Sequence, residues 1–427
     1  MRKLFLLLLL VVIVTSLSAT VLAQDESVTF WMKRQLLDEC NAALEARAVQ
    51  FTSETGTPVN LEIMPYEDAL ARWSAGIESG NVPDVSFFGY QEVGQFYGQG
   101  LLVDLSDVVA QVQEANGELV PALVNPITFE DKQWAVPFWS EGTVLYYRTD
   151  LFEQAGIDGP PETWDEFLQD AELLNDPANG IYGAGFGVGR GNSDSEWWFR
   201  DLLWSHNAYL FNAAGDASTA NTPEAAAVFE WLQYLFNESG TVPPGAIGWD
   251  DAGNNRAYLA GQAAMVINVG SVYRALQTDR PDLFEVSKVA LVPGGPEGRF
   301  IGGISNNLGM FEGSPNPEGG MALISYLLDK EWQQQWTESC GYLVVPVYSD
   351  LGESEFWQTD AGQVFLETPQ YYVFLGAQGA FSPAAGEVYN TRLLTDAVEQ
   401  VLVQGRAIED ALADLEAQIN EVIAQYQ

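Results

Sequence analysis

Residues 134–152, running from Trp134-Ala-Val-Pro-Phe-Trp139 through Ser140-Glu141-Gly142 to Val144-Leu-Tyr-Tyr147 and Phe152, constrain the fold more than any other stretch. An apolar, β-branched and aromatic strand pattern is broken there by one polar step. Pro137 suits an edge or entry and Gly142 permits unusual backbone angles, whereas Val144 to Tyr147 reads as a buried strand. One extended segment crossing between two bodies accounts for this. A bulged strand within one sheet is the alternative.

The length of the chain bears on that choice. At 427 residues it exceeds the roughly 250–300 at which a single core stops growing, so two domains are expected. The N-terminus carries Arg2-Lys3, an apolar run from Leu4 to Val14, then Thr15 to Ala23, with Val21 and Ala23 fitting the small-residue pattern before a cut at Gln24. A cleaved secretory signal over residues 1–23 is expected, because the apolar core is shorter than the ~20 residues a membrane span needs. No cysteine stands at the cut, so no lipid anchor is expected.

Charge and side-chain inventory exclude several functions. Removing Arg2 and Lys3 leaves 16 Lys+Arg against 59 Asp+Glu, a formal charge of −43. Such a chain repels nucleic acid and anionic membranes, which need clustered Lys and Arg. The acidic residues are spread along predicted helices and read as a solvated surface. The only histidine, His206, rules out His-cluster metal sites and HExxH hydrolases, and no GxSxG supplies a nucleophile. His206, among aromatics, reads as structural. No catalytic group, metal or cofactor is expected.

Taken in order, Val28 to Trp31 reads as a strand and Gln35 to Phe51 as an amphipathic helix closed by Gly56. Val59 to Met64, Glu67 to Ser79 and Val82 to Phe88 continue the alternation, which argues for a layered sheet flanked by helices. Ligands in such sheets bind beyond the strands' carboxyl ends, and those ends carry Trp31, Tyr66 and Tyr90. Thr163-Trp-Asp-Glu166 is a capping box, and Thr222-Pro223 opens another helix. Trp249-Asp-Asp precedes a helix to Ala260, Ala263 to Asn268 is a strand, and another βα unit is expected from Val289. Phe300 to Phe311 is a Gly-broken strand followed by a helix from Asn316-Pro317 to about Thr337. Gly341 to Val347 has the same strand character, so the chain is expected to cross between its bodies three times. From Glu387 the pattern is helical.

In this order the chain resembles the extracellular solute-binding proteins of ABC importers, in the sugar-binding group typified by maltose-binding protein. The resemblance is carried by Gly80-Asn-Val-Pro-Asp-Val85, Gly100-Leu-Leu-Val-Asp-Leu105, Ala135-Val-Pro-Phe138, Leu145 to Phe152, Glu162 to Phe167, Tyr258 to Met265, Val292-Pro-Gly-Gly295 and Ile301-Gly-Gly-Ile304. It spans essentially the whole mature chain. It implies an α/β fold of two lobes with three hinge crossovers and a ligand cleft between them: residues 24–141 plus 305–342 in one lobe, 145–302 plus 346–427 in the other. A monomer serving a membrane permease from the periplasm or cell exterior is implied. Both Cys40 and Cys340 then fall in the first lobe of an exported protein, where a disulfide is expected. The chain departs from the family in one place, offering Tyr273 where members often carry Trp.

A sugar presents hydroxyls at its edge and C–H bonds on its faces, so its binder needs flat aromatics with carboxylate and amide groups. The candidates are Trp31, Tyr66, Tyr90, Trp139, Trp249 and Tyr273 for stacking, with Glu141 and Asn268 for hydroxyls. Glu141 aligns with an acidic sugar-binding position of the family. Two rivals stand beside a carbohydrate: a polyamine or polyol on the same fold, and a secreted glycoside hydrolase, which would need two carboxylates about 5–9.5 Å apart.

Overall fold

A computed structural model describes residues 27–427. The expected signal segment and its cleavage site lie outside the described residues, as do the side chains of Tyr66 and Glu67. Among the described residues no helix is long and apolar enough to cross a membrane.

The molecule is built on two main sheets. The first begins with β1 (Val28–Lys33), β2 (Val59–Met64) and β3 (Val85–Gly89). These three are parallel, with β1 in the middle, because helices α1 (Asp38–Thr55) and α2 (Tyr66–Ser79) carry the chain back each time. Gly56 ends α1 in the left-handed region at φ 81°, its N–H returning to the Thr52 carbonyl, as its position after the last periodic residue predicts. Helix α3 (Tyr90–Gly98) follows β3 directly, and β4 (Val136–Glu141) forms the far edge.

The chain then passes through Gly142-Thr143 into β5 (Val144–Arg148), which belongs to the second sheet with β6 (Tyr182–Ala184), β7 (Ala263–Asn268) and β8 (Ser287–Ala290), in the order β8-β5-β7-β6. The polar step in the opening segment is thus a crossing between sheets and not a bulge within one. Gly142, however, needs no left-handed backbone. It is glycine because a Cβ there would lie 2.8 Å from Thr368 Oγ1 and 3.2 Å from Phe365. The chain returns through Gly303 into β9 (Ile304–Gly309), which fits antiparallel between β3 and β4.

One short strand pair braces these crossings. Ile301-Gly302 pairs with Tyr372-Val373, the Gly303 N–H donates to the Val373 carbonyl, and the Tyr372 hydroxyl donates to the Glu141 carbonyl at 2.9 Å. Burial pushes the Tyr372 hydroxyl up to about 12, so it stays a donor.

Several sequence expectations require correction. Strand β1 runs on to Lys33, which leaves Trp31 inside it and not at its exit. The segment near Val289 is an antiparallel edge strand with no helix directly after it, not a βα unit. The helix expected from Asn316 to Thr337 is two, α6 (Pro317–Leu327) and α7 (Lys330–Ser339), because Asp329 starts a new turn by accepting from the Trp332 N–H. Residues 341–343 form a 3-10 turn, and only Val345 bridges to Ser140. Cys40 and Cys340 are joined, with Cα atoms 5.1 Å apart, tying α1 to the end of α7.

Candidate functional site

The carboxyl end of the first sheet gathers one compact cluster. Glu141, the last residue of β4, has a side chain only 12% exposed. Its Oε1 accepts from Lys33 Nζ at 2.8 Å, from Trp139 Nε1 at 3.3 Å and from Asn306 Nδ2 at 3.3 Å. The topology explains the meeting. Lys33 ends β1, and Asn306 lies across from both Gly89 and Trp139 in the antiparallel β9. A half-buried carboxylate without a cation would forfeit hydration for nothing, and Lys33 offsets that cost.

The facing wall comes from the second body. Helix α4 (Ser193–Ser205) is capped by Asn192, whose side chain accepts from the Ser195 N–H. Asp251 Oδ1 accepts from the Ser193 N–H at 2.7 Å, the Ser193 hydroxyl at 2.6 Å and the Asp194 N–H at 3.3 Å. The Asp194 side chain instead receives amides: Oδ2 accepts from Asn268 Nδ2 at 2.9 Å and from Asn254 Nδ2 at 3.1 Å. Asn254 and Asn255 lie on helix α5 (Gly253–Leu259), and Asn268 closes β7. Burial first, then Asp251 and Glu141, push the Asp194 carboxyl up to about 8, against the opposing Asn254 bond.

Of the eight predicted residues, Glu141 ends β4 in the first sheet and Asn268 ends β7 in the second, each at the centre of a polar cluster. Trp249 is half-buried at the approach to α5, its side chain lying on Gly253, where an added Cβ would be 2.3 Å from the Trp249 Cβ and 2.5 Å from its ring. Trp139 is fully buried, edge-on to Phe138 and Trp336, and contributes its indole N–H rather than a face. Trp31 is 4% exposed, with the Arg72 guanidinium 4.6 Å from its ring centre. Tyr90 is enclosed between Phe374 and Phe381, and its hydroxyl accepts from the Leu375 N–H. Tyr273 joins a separate ring cluster with Phe284 and Tyr342. For Tyr66 only the backbone is described, at the first position of α2.

Sequence reasoning missed Lys33, Asn306, Asp194, Asp251 and Asn254. Lys33 was within reach, as a rare basic residue directly beyond a strand of apolar residues. His206 sits at the end of α4 with Nδ1 2.8 Å from the Leu202 carbonyl, as a structural histidine does.

The site gathers carboxylates and side-chain amides from both sheets. The chain belongs to the bacterial extracellular solute-binding proteins, whose family profile matches residues 36–334. It is 27% identical over 413 residues to a probable ABC transporter-binding protein of Deinococcus radiodurans, covering 91% of each chain. It is 24% identical over 426 residues to the diacetylchitobiose binding protein DasA of Streptomyces coelicolor, covering 94% of this chain and 91% of that one. Its structure superposes with a TM-score of 0.80 on a sugar transporter from Arthrobacter chlorophenolicus with bound laminaribiose, at 21% identity, covering 93% of this chain and 99% of that one. The two-lobe α/β fold is therefore established. The proteins it resembles are binding proteins.

Proposed function

We propose that the protein captures a neutral carbohydrate between its lobes and delivers it to the membrane subunits of an ABC importer, acting as a free monomer in the periplasm or outside the cell. The observation that carries this is the facing pair of walls. Glu141 offers an oriented acceptor from one sheet while Asp194, positioned by Asn268 and Asn254, offers a carboxyl group from the other, so a polyhydroxylated ring gains its full set of bonds only when the lobes meet. The ligand thereby favours the closed arrangement. All three donors to Glu141 converge on Oε1, which leaves Oε2 for a ligand hydroxyl, and Trp249 supplies an aromatic face. Relatives named for diacetylchitobiose and laminaribiose support a sugar. The lobes are taken as residues 24–141 with 305–342, and 145–302 with 346–427.

Calorimetric titration against a panel of mono- and oligosaccharides tests the reading. Micromolar affinity, about −8 kcal/mol, for at least one sugar is expected; binding of a polyamine or acyclic polyol alone would overturn the sugar assignment. A pushed-up carboxyl beside other carboxylates is also what a glycoside hydrolase uses. Incubation with the same oligosaccharides should release no new reducing ends.

A further inference from the structure

We propose that Lys33 decides what the Glu141 wall accepts. It acts through Glu141 as a positioning residue that leaves one carboxylate oxygen for the ligand, and its charge makes that oxygen a better partner for a neutral hydroxyl than for an ammonium group. The inference rests on the carbohydrate reading above and concerns the ligand class of that same site.

Lys33 and Glu141 come from strands that are not neighbours. In the first sheet, ordered β2-β1-β3-β9-β4, the ends of β3 and β9 lie between them. At about 4.8 Å per strand their backbones stand roughly 14 Å apart, yet the side chains meet at 2.8 Å. The three donors to Glu141 Oε1 are unequal. Trp139 and Asn306 stand opposite each other in register, and Glu141, two residues beyond Trp139, shares their face. Both of their bonds are 3.3 Å, at the long end for N–H to oxygen. The lysine bond is the short and charge-assisted one, so it governs where the carboxylate rests. The ammonium also lies 5.8 Å from the Trp139 ring centre, so one indole backs both partners. Among the described residues no other cation pairs with Glu141.

An ionised carboxylate only accepts, so its free oxygen demands a donor from the ligand, and a hydroxyl or an ammonium would serve equally. Lys33 separates the two. With it the pair is formally neutral, and a cationic ligand on Oε2 would bring a second ammonium beside the first, a like-charge contact that costs more as water is excluded. A hydroxyl makes the same bond without that cost. Without Lys33 the wall would hold an unpaired carboxylate whose side chain is only 12% exposed, a state that an ammonium relieves better than a hydroxyl does. Lys33 is thus the repulsive element of selectivity against polyamines and amino sugars, on an acidic chain that would otherwise attract them.

Two measurements test this. In a ligand-free crystal structure of Lys33→Met the Glu141 carboxylate should leave Trp139 Nε1 and Asn306 Nδ2; a carboxylate still held by both overturns the positioning role. Calorimetric titration then pairs each neutral sugar that the parent binds with its 2-amino-2-deoxy analogue, glucosamine for glucose being the simplest pair, with spermidine as the acyclic cation. The ratio of neutral to amino affinity should fall about tenfold or more in Lys33→Met and return towards the parent value in Lys33→Arg, which keeps the charge. Damage to the fold alone would weaken both members of a pair alike, so an unchanged ratio overturns the selectivity while leaving sugar binding intact. If spermidine binds the parent and no neutral sugar does, the carbohydrate reading and the selectivity both fail, and the Lys33→Met structure still decides the positioning of Glu141.

Discussion

The two walls of the cleft solve one electrostatic problem in opposite ways. On the first, the Glu141 carboxylate is held by a lysine 2.8 Å away and backed by an indole, and its body is stapled by Cys40–Cys340. On the second, Asp194 is held by amides between two other acids and no disulfide supports it. The difference teaches that a carboxylate leaving water must find a counter-charge or surrender its own charge. Residues 24–427 hold 16 basic side chains, so cations are scarce, and Asp194 has side-chain amides where Glu141 has a lysine.

The largest effect that probes the contrast concerns the staple. Replacing both cysteines by serine should destabilise the protein by about 2–5 kcal/mol, seen as a lower Tm, with sugar affinity preserved at temperatures where the lobe stays folded; an unchanged Tm would mean the two halves differ less than the structure indicates. Next, Glu141→Gln removes a charged acceptor from the lysine-compensated wall. Affinity should fall by about 1.5–3 kcal/mol, some tenfold to a hundredfold by calorimetry, and an unchanged Kd would remove Glu141 from the site. Trp249→Ala should weaken binding by about 0.5–1.5 kcal/mol through the loss of one stacking face, with little change in ligand-free thermal stability. The smallest effect is expected for Tyr273→Phe. Its ring packs on other rings and no hydrogen bond engages its hydroxyl among the described residues, so affinity and stability should both stay within about 0.5 kcal/mol. A larger drop in affinity would bring the ring cluster into the site after all.

Much of the architecture was legible because it is written in local signals. The Thr163 box forms as its spacing predicts, with Thr163 Oγ1 accepting from the Glu166 N–H and Glu166 Oε2 from the Thr163 N–H. Pro223 after Thr222 starts a helix for the same kind of reason. The site was less legible, because a strand's end decides which residue faces the cleft. A two-residue error at β1 put Trp31 where Lys33 stands. Asp194 could not be found from its neighbours in sequence, since its surroundings come from Asp251 with Asn254, Asn268 and Glu141, which are contributed by three separate segments. Aromatic residues were over-assigned to ligand for a related reason: Tyr90 and Tyr273 carry the right chemistry, but packing partners as distant as Phe374 and Tyr342 claim their faces.

The short strand Tyr372-Val373 touches both the first crossing, through the Glu141 carbonyl, and the second, through Gly303. The two crossings are therefore ganged, like two leaves on one pin. The Glu141 carbonyl that the pin grips belongs to the residue proposed above as an acceptor for the ligand, so the strand pair and the proposed site share one residue.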